Sequence, residues 1–197
     1  ISNIVRVERE KVVQFQEYAI LSPNAMQKRA LENLDRLRRS GESKALVVAA
    51  TGTGKTYMAV FDVLHSQPKR VLFLIHREEI LNAAKSSFQR LAKNRSKSMG
   101  SFTGSLKEHG CDYLFATVQS MHNHLEEFDP KAFPYIIVDE AHHSSSPTYQ
   151  KILSYFQPEF VLGMTATPER SDDNNIFEIY DNNVAIELRL REALELN

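Results

Sequence analysis

The chain has 197 residues, 42% of them hydrophobic, and its 24 Lys and Arg against 25 Asp and Glu leave a formal net charge of −1. That length holds one α/β lobe with a full core and excludes two, while apolar runs such as Val71 to Ile75 fall far short of the roughly 18 residues that span a bilayer. A single cysteine, Cys111, excludes an internal disulfide and a cysteine-based zinc site, so a protein of the reducing cytoplasm, away from any membrane, is the expectation.

Residues 1–20 mix charged and apolar positions, Val12, Val13, Phe15 and Tyr18 among them, and read as a connector from an upstream region. The opening Ile1-Ser2-Asn3-Ile4-Val5-Arg6 lacks the basic start and apolar stretch of a signal peptide. Ser22-Pro23 then reads as a helix start, with a capping hydroxyl and proline in the first turn, and Gly41 as its stop. Met26, Ala30, Leu31, Leu34 and Leu37 supply its apolar face. Ala45 to Ala50 is the first buried strand and Lys55 to His65 the helix after it. Between them, Ala49-Ala50-Thr51-Gly52-Thr53-Gly54-Lys55-Thr56 has the composition and placement of a phosphate-binding loop. There the backbone N–H groups of Gly52 to Thr56 can converge on phosphate oxygens, and the helix dipole favours the negative charge. In such a loop Lys55 reaches the β- and γ-phosphates and Thr56 ligates Mg²⁺, with Thr51 and Thr53 beside them. The general pattern G-x-x-x-x-G-K-[ST] has glycine where this chain has Ala49.

Val71 to Ile75 is the next strand, followed by His76-Arg77 and a helix over Glu78 to Leu91. The stretch from Lys85 to Lys97 carries Lys85, Arg90, Lys93, Arg95 and Lys97 without an acid; it is either a face for phosphates or a solvated helix face. A weaker strand signal covers Ser98 to Phe102, before Thr103-Gly104. Tyr113 to Thr117 is a strand, and Thr117-Val118-Gln119-Ser120 opens a helix expected to run to Phe128. Tyr135 to Asp139 is an apolar run that delivers Asp139 and Glu140 at a strand's C-terminal edge, where ligands of open α/β sheets bind. Asp139 could hold Mg²⁺ through its water shell, and Glu140 could polarise an attacking water. A helix over Pro147 to Phe156, a strand over Phe160 to Met164, and a polar segment with Asp172, Asp173, Glu178 and Asp181 complete the pattern. Strands alternating with helices predict an α/β fold with a mostly parallel sheet covered on both faces. Neither His142 with His143 nor His122 with His124 has the i, i+4 spacing of a helical zinc site.

Ala50 to Thr56, Asp139-Glu140-Ala141-His142 and Thr165-Ala166-Thr167 resemble motifs I, II and III of superfamily 2 helicases and translocases, in the right order. In that family alanine at the first loop position is ordinary. The tetrad followed by His143, with Tyr180-Asp181-Asn182-Asn183 and Leu188 to Leu194, resembles most the group containing type III restriction enzyme helicase subunits and related DNA motors. The resemblance implies a three-layer αβα RecA-like P-loop NTPase lobe over residues 21–180, and a linker over 181–197 toward a second RecA-like lobe. It implies ATP and Mg²⁺ as cofactors, nucleic acid as partner with DNA favoured over RNA, and a place in a restriction or repair enzyme. Lys55, Asp139, Glu140 and His142 would carry hydrolysis, and Gln27 would read the adenine edge, since a carboxamide donates and accepts at once. His76 and Arg77 correspond to motif Ia, Thr103 and Gly104 to motif Ib, and Thr117, Gln119 and Ser120 to motif Ic, all touching the nucleic-acid backbone. Thr165 and Thr167 would exchange partners on hydrolysis, with His142 as relay and His143 a polar neighbour. The arginine finger would come from the second lobe, so the lobe alone should be nearly inactive. An RNA helicase, or a nucleotide-dependent nucleic-acid sensing module without unwinding, fits the same residues.

Overall fold

The computed structural model describes residues 22–92, 96–167 and 176–188. The connector expected over 1–20, Lys93 and Arg95, Asp172 and Asp173, and the stretch from Arg189 to Leu194 lie outside the described residues.

The chain runs α1 (Ala25–Arg39), β1 (Lys44–Ala49), α2 (Lys55–Ser66), β2 (Val71–Ile75), α3 (Glu78–Leu91), β3 (Met99–Phe102), β4 (Tyr113–Thr117) and α4 (Val118–Asn123). It continues through β5 (Tyr135–Asp139), α5 (Pro147–Tyr155), β6 (Phe160–Thr165), α6 (Ile176–Ile179) and β7 (Val184–Leu188). Short 3₁₀ turns cover Leu125–Glu127 and Ala141–His143. Among the described residues seven strands form one sheet in the order β3-β4-β2-β5-β6-β1-β7. Every pairing is parallel, so all C-terminal strand ends share one edge. Successive side chains of a strand point to opposite faces: Val47 and Phe73 join Leu34, Met58 and Phe88 beneath α1 to α3, while Leu46, Leu72 and Leu74 join Met121, Phe133 and Ile152 beneath α4 and α5.

Several boundaries differ from expectation for identifiable reasons. Asn24, not Ser22, caps α1: its side chain accepts from Gln27 N while Gln27 Oε1 accepts from Asn24 N, a capping box that leaves Pro23 outside the helix. The helix expected to run to Phe128 stops at Asn123, because His124 leaves helical geometry and the chain tightens into the 3₁₀ turn. That turn buries Phe128 against Phe102, Phe133 and Phe156. The segment expected as a linker from 181 instead contributes β7, which pairs with β1 from Leu46↔Val184 to Ala49↔Leu188, so the sheet extends past residue 180. Asp181 and Asn182 make the tight reversal before β7 with φ of 55° and 59°, a conformation that short polar side chains tolerate.

Two close approaches fix the layers. A Cβ at Gly163 in β6 would collide with the Tyr180 ring, and the Tyr180 hydroxyl is 3.0 Å from Ser144 Oγ. At the opposite edge of the sheet, the Asp62 carboxylate is fully buried and takes both guanidinium arms of Arg38, the first at 2.8 Å, and the hydroxyl of Tyr135. Arg38 also lies over the Phe160 ring at 4.2 Å. Burial pushes the Tyr135 phenol well above its ordinary pKa, and the neighbouring Asp62 adds to the effect, so Tyr135 donates to that carboxylate at any physiological pH.

Candidate functional site

The loop after β1 turns through Gly52 and Gly54, with φ of 84° and 82°, a region that glycine enters without steric cost. Thr53 folds back, its hydroxyl donating to Ala50 O at 2.7 Å. Gly54 caps α2 without a side-chain hydrogen bond, which leaves the first-turn N–H groups directed at whatever anion occupies the loop. The Lys55 ammonium donates to Ala49 O at 2.7 Å and Ala50 O at 3.2 Å. Burial lowers the Lys55 pKa, while Asp139 and Glu140 oppose that shift.

Asp139 ends β5, one strand removed from β1 with β6 between them. Burial raises its pKa, and the Glu140 N–H donated to Oδ1 at 3.1 Å pulls it down. Glu140 sits in the left-handed region at φ 53°, an uncommon and costly place for a glutamate. The turn aims its carboxylate out of the sheet: the side chain is 45% exposed, whereas that of His142 is 7% exposed. His142 Nδ1 lies 3.2 Å from Glu140 Oε2 and 3.0 Å from Thr165 Oγ1. Nδ1 thus shares a hydrogen bond with the Thr165 hydroxyl and stands beside the Glu140 carboxylate. Thr165 is buried, and its Oγ1 also meets the N–H and carbonyl of Thr167. Phosphate loop, acids, His142 and the Thr165-Ala166-Thr167 loop therefore meet at one edge.

The donor set fits a magnesium-bound triphosphate. Thr56 and Asp139 would offer the hard oxygen ligands that Mg²⁺ takes, and the glycine-opened loop with Lys55 suits phosphate oxygens. Lys55→Met is expected to weaken nucleotide binding about 10- to 150-fold, which is the loss of a charge-assisted hydrogen bond of about 1.5–3 kcal/mol. Calorimetric titration with a non-hydrolysable ATP analogue measures it, and an unchanged affinity would take Lys55 out of the phosphate site.

Gln27 is buried rather than on the surface. Its Oε1 accepts from Asn24 N, and its Nε2 donates to Gly54 O at 3.1 Å, so it ties α1 to the phosphate loop. A carboxamide has four hydrogen-bonding positions and these bonds take two.

The expected strand contacts occupy the other half of the same edge, after β2, β3 and β4. His76, Arg77, Gly104 and Gln119 are exposed there. Thr103, Thr117 and Ser120 are largely buried. Thr103 Oγ1 receives the backbone N–H groups of Ser105 and Leu106 and shapes its own loop. Thr117 Oγ1 caps α4 by accepting from Ser120 N. In the basic stretch, Lys85 donates to Ser101 Oγ at 2.9 Å, Arg90 to the Tyr57 hydroxyl, and Lys97 to Asp112. Those three charges thus have partners within the fold. Cys111 is buried, and burial raises its thiol pKa, as suits a structural residue rather than a nucleophile.

Two contacts were not legible. His143, read as a bystander, stacks on His76 with ring centroids 5.0 Å apart and a 28° interplanar angle. Tyr180 crosses over Gly163 and joins Ser144, just after the acids. The available signals were the doubled histidine and a glycine inside a strand, which marks close approach of another group.

A family model described as type III restriction enzyme, res subunit, matches residues 20–170. The chain is 28% identical over 185 residues to the type I restriction enzyme EcoAI endonuclease subunit of Escherichia coli, covering 88% of this chain and 23% of that protein. It is 29% identical over 139 residues to the DNA 3'-5' translocase XPB2 of Sulfurisphaera tokodaii, covering 71% and 30%. A nuclease-deletion mutant of the type ISP restriction-modification enzyme LlaGI, solved with a DNA substrate mimic, superimposes with a TM-score of 0.67 at 19% identity. That alignment covers 88% of this chain and 20% of the LlaGI chain, and it shows a shared fold. The chain thus spans between 20% and 30% of the length of these three proteins.

Proposed function

Because the chain belongs to the family of the type III restriction enzyme res subunit, we propose that it is the first ATP-binding lobe of an ATP-driven helicase or translocase acting on DNA. One observation supports this above the rest: His142 Nδ1 stands within 3.0 Å of Thr165 Oγ1 and 3.2 Å of Glu140 Oε2. A module that only bound nucleotide would need neither a catalytic carboxylate nor a buried link from it to a neighbouring strand loop. Lys55 and the loop N–H groups hold the triphosphate, and Glu140 orients the attacking water. Thr56 and Asp139 would hold Mg²⁺, which neutralises charge developing on the phosphates. Gln27 retains the capacity to meet the adenine edge. Exposed His76, Arg77, Gly104 and Gln119 contact the strand, while Thr103, Thr117 and Ser120 shape the loops that present them.

The polypeptide would carry a second RecA-like lobe supplying an arginine finger, and 20–30% coverage of longer relatives supports that reading. Lacking a finger, this lobe alone would turn over ATP about 10³- to 10⁵-fold more slowly than the whole. The chain would act in the cytoplasm; among the described residues no helix is long and apolar enough to cross a membrane. Phosphate release by the full-length protein, measured with saturating duplex DNA, single-stranded DNA or RNA, tests the proposal. Stimulation by DNA is expected; stimulation by RNA alone would establish the RNA helicase reading, and turnover indifferent to all three would refute a motor.

A further inference from the structure

The order of the sheet separates the two halves of the site. Candidate strand contacts follow β2, β3 and β4, whereas the candidate hydrolysis residues follow β1, β5 and β6. The halves meet where β2 lies beside β5, and at that seam the exposed ring of His76 stacks on His143. His143 in turn lies 4.2 Å from the His142 ring. It is also near-parallel, at 23°, to the ring of Tyr149, whose centroid lies 6.5 Å away and which is buried with 2% exposure. His143 therefore joins a surface ring that a nucleic-acid strand would touch to the turn that carries His142.

We propose that His143 is a positioning residue that couples strand engagement at His76 to hydrolysis at Glu140, resting on the reading of this chain as a motor lobe. Because His143 belongs to the 3₁₀ turn Ala141–His143, whose hydrogen bonds are of poorer geometry than those of an α-helix, a push on His76 is taken up by that turn. His142 rides on the same turn. A proton on its Nδ1 has two acceptors within reach, the Thr165 hydroxyl at 3.0 Å and the Glu140 carboxylate at 3.2 Å, and exchange between them is the bistable element that coupling requires. Strand binding shifts the donor toward Thr165 and leaves the Glu140 carboxylate to accept a hydrogen bond from the attacking water. Release of the strand returns it to Glu140 and slows turnover.

The experiment measures ATP turnover of the full-length protein with and without saturating duplex DNA, together with DNA affinity in the absence of nucleotide, for wild type, His143→Ala and His143→Phe. His143→Ala is expected to keep unstimulated turnover and DNA affinity within about twofold, while the stimulation ratio falls about fivefold or more, the lower end of ordinary coupling. His143→Phe keeps the stacked ring and is expected to restore at least half of the ratio. A wild-type ratio in His143→Ala would overturn the proposal, as would equal losses with and without DNA. If thermal melting shows His143→Ala unfolded, His143→Phe decides alone: a ratio below one third of wild type overturns the coupling. Wild-type turnover that no nucleic acid stimulates would remove the motor reading itself, whereas a stimulated wild type with an indifferent His143 removes only this inference.

Discussion

Glu140→Gln in the full-length protein is expected to lower ATP turnover about 10²- to 10⁴-fold, the usual contribution of a positioned general base. The Glu140 side chain is 45% exposed, so exchanging its carboxylate for a carboxamide costs the fold little. The left-handed backbone at φ 53° persists, since glutamine has the same steric demand. What disappears is the negative charge that aligns and polarises water. Nucleotide affinity should therefore stay within about twofold, the pattern of a group acting in the transition state rather than in binding. Phosphate-release kinetics beside equilibrium titration of an ATP analogue separate the two effects. Undiminished turnover would place the base elsewhere.

Asp62→Ala is expected to destabilise this chain by about 3–5 kcal/mol, the penalty for breaking a buried ion pair by removing one partner. Against a typical domain stability of about 5–15 kcal/mol, that is a large fraction. Arg38, whose side chain is 20% exposed, would lose both hydrogen bonds of its fork. Tyr135 would keep a fully buried hydroxyl without its acceptor. Replacing the pair together, Arg38→Met with Asp62→Leu, is expected to cost much less, because no orphaned charge remains. Urea unfolding of the single and double variants measures both, and a double variant as unstable as Asp62→Ala would show that the pair itself stabilises the lobe.

The strands legible in the sequence were those whose burial is written in side chains. Val71 to Ile75 and Tyr135 to Asp139 are apolar on both faces and were found with their bounds intact. β3 gave a weaker signal because Gly100 and Ser101 sit inside it. β7 was missed because its place depends on main-chain pairing, such as Leu46 N donating to Asn183 O at 2.8 Å, and a short segment containing Glu187 resembles an exit linker. The site followed the same division. Lys55, Asp139, Glu140 and His142 are spaced by the logic of strand ends, so their convergence could be foreseen. The engagement of the Thr103 and Thr117 hydroxyls could not, since a hydroxyl suits a phosphate oxygen and a neighbouring amide equally well. Stacking of His143 on His76 joins residues far apart in sequence and depends on β2 and β5 being neighbours, which only the strand order reveals.

That strand order, with every strand pointing the same way, also bears on how such a lobe can change over time. One rim holds the candidate reacting groups on loops, while the opposite rim is locked by Arg38, Asp62 and Tyr135. Loops at the working rim can acquire insertions or new contacts without disturbing the clasp that keeps the sheet and its helices together. The architecture is thus evolvable at one end and conservative at the other, and an engineer seeking altered nucleic-acid preference would randomise the loops after β2, β3 and β4 while leaving residues 38, 62 and 135 untouched.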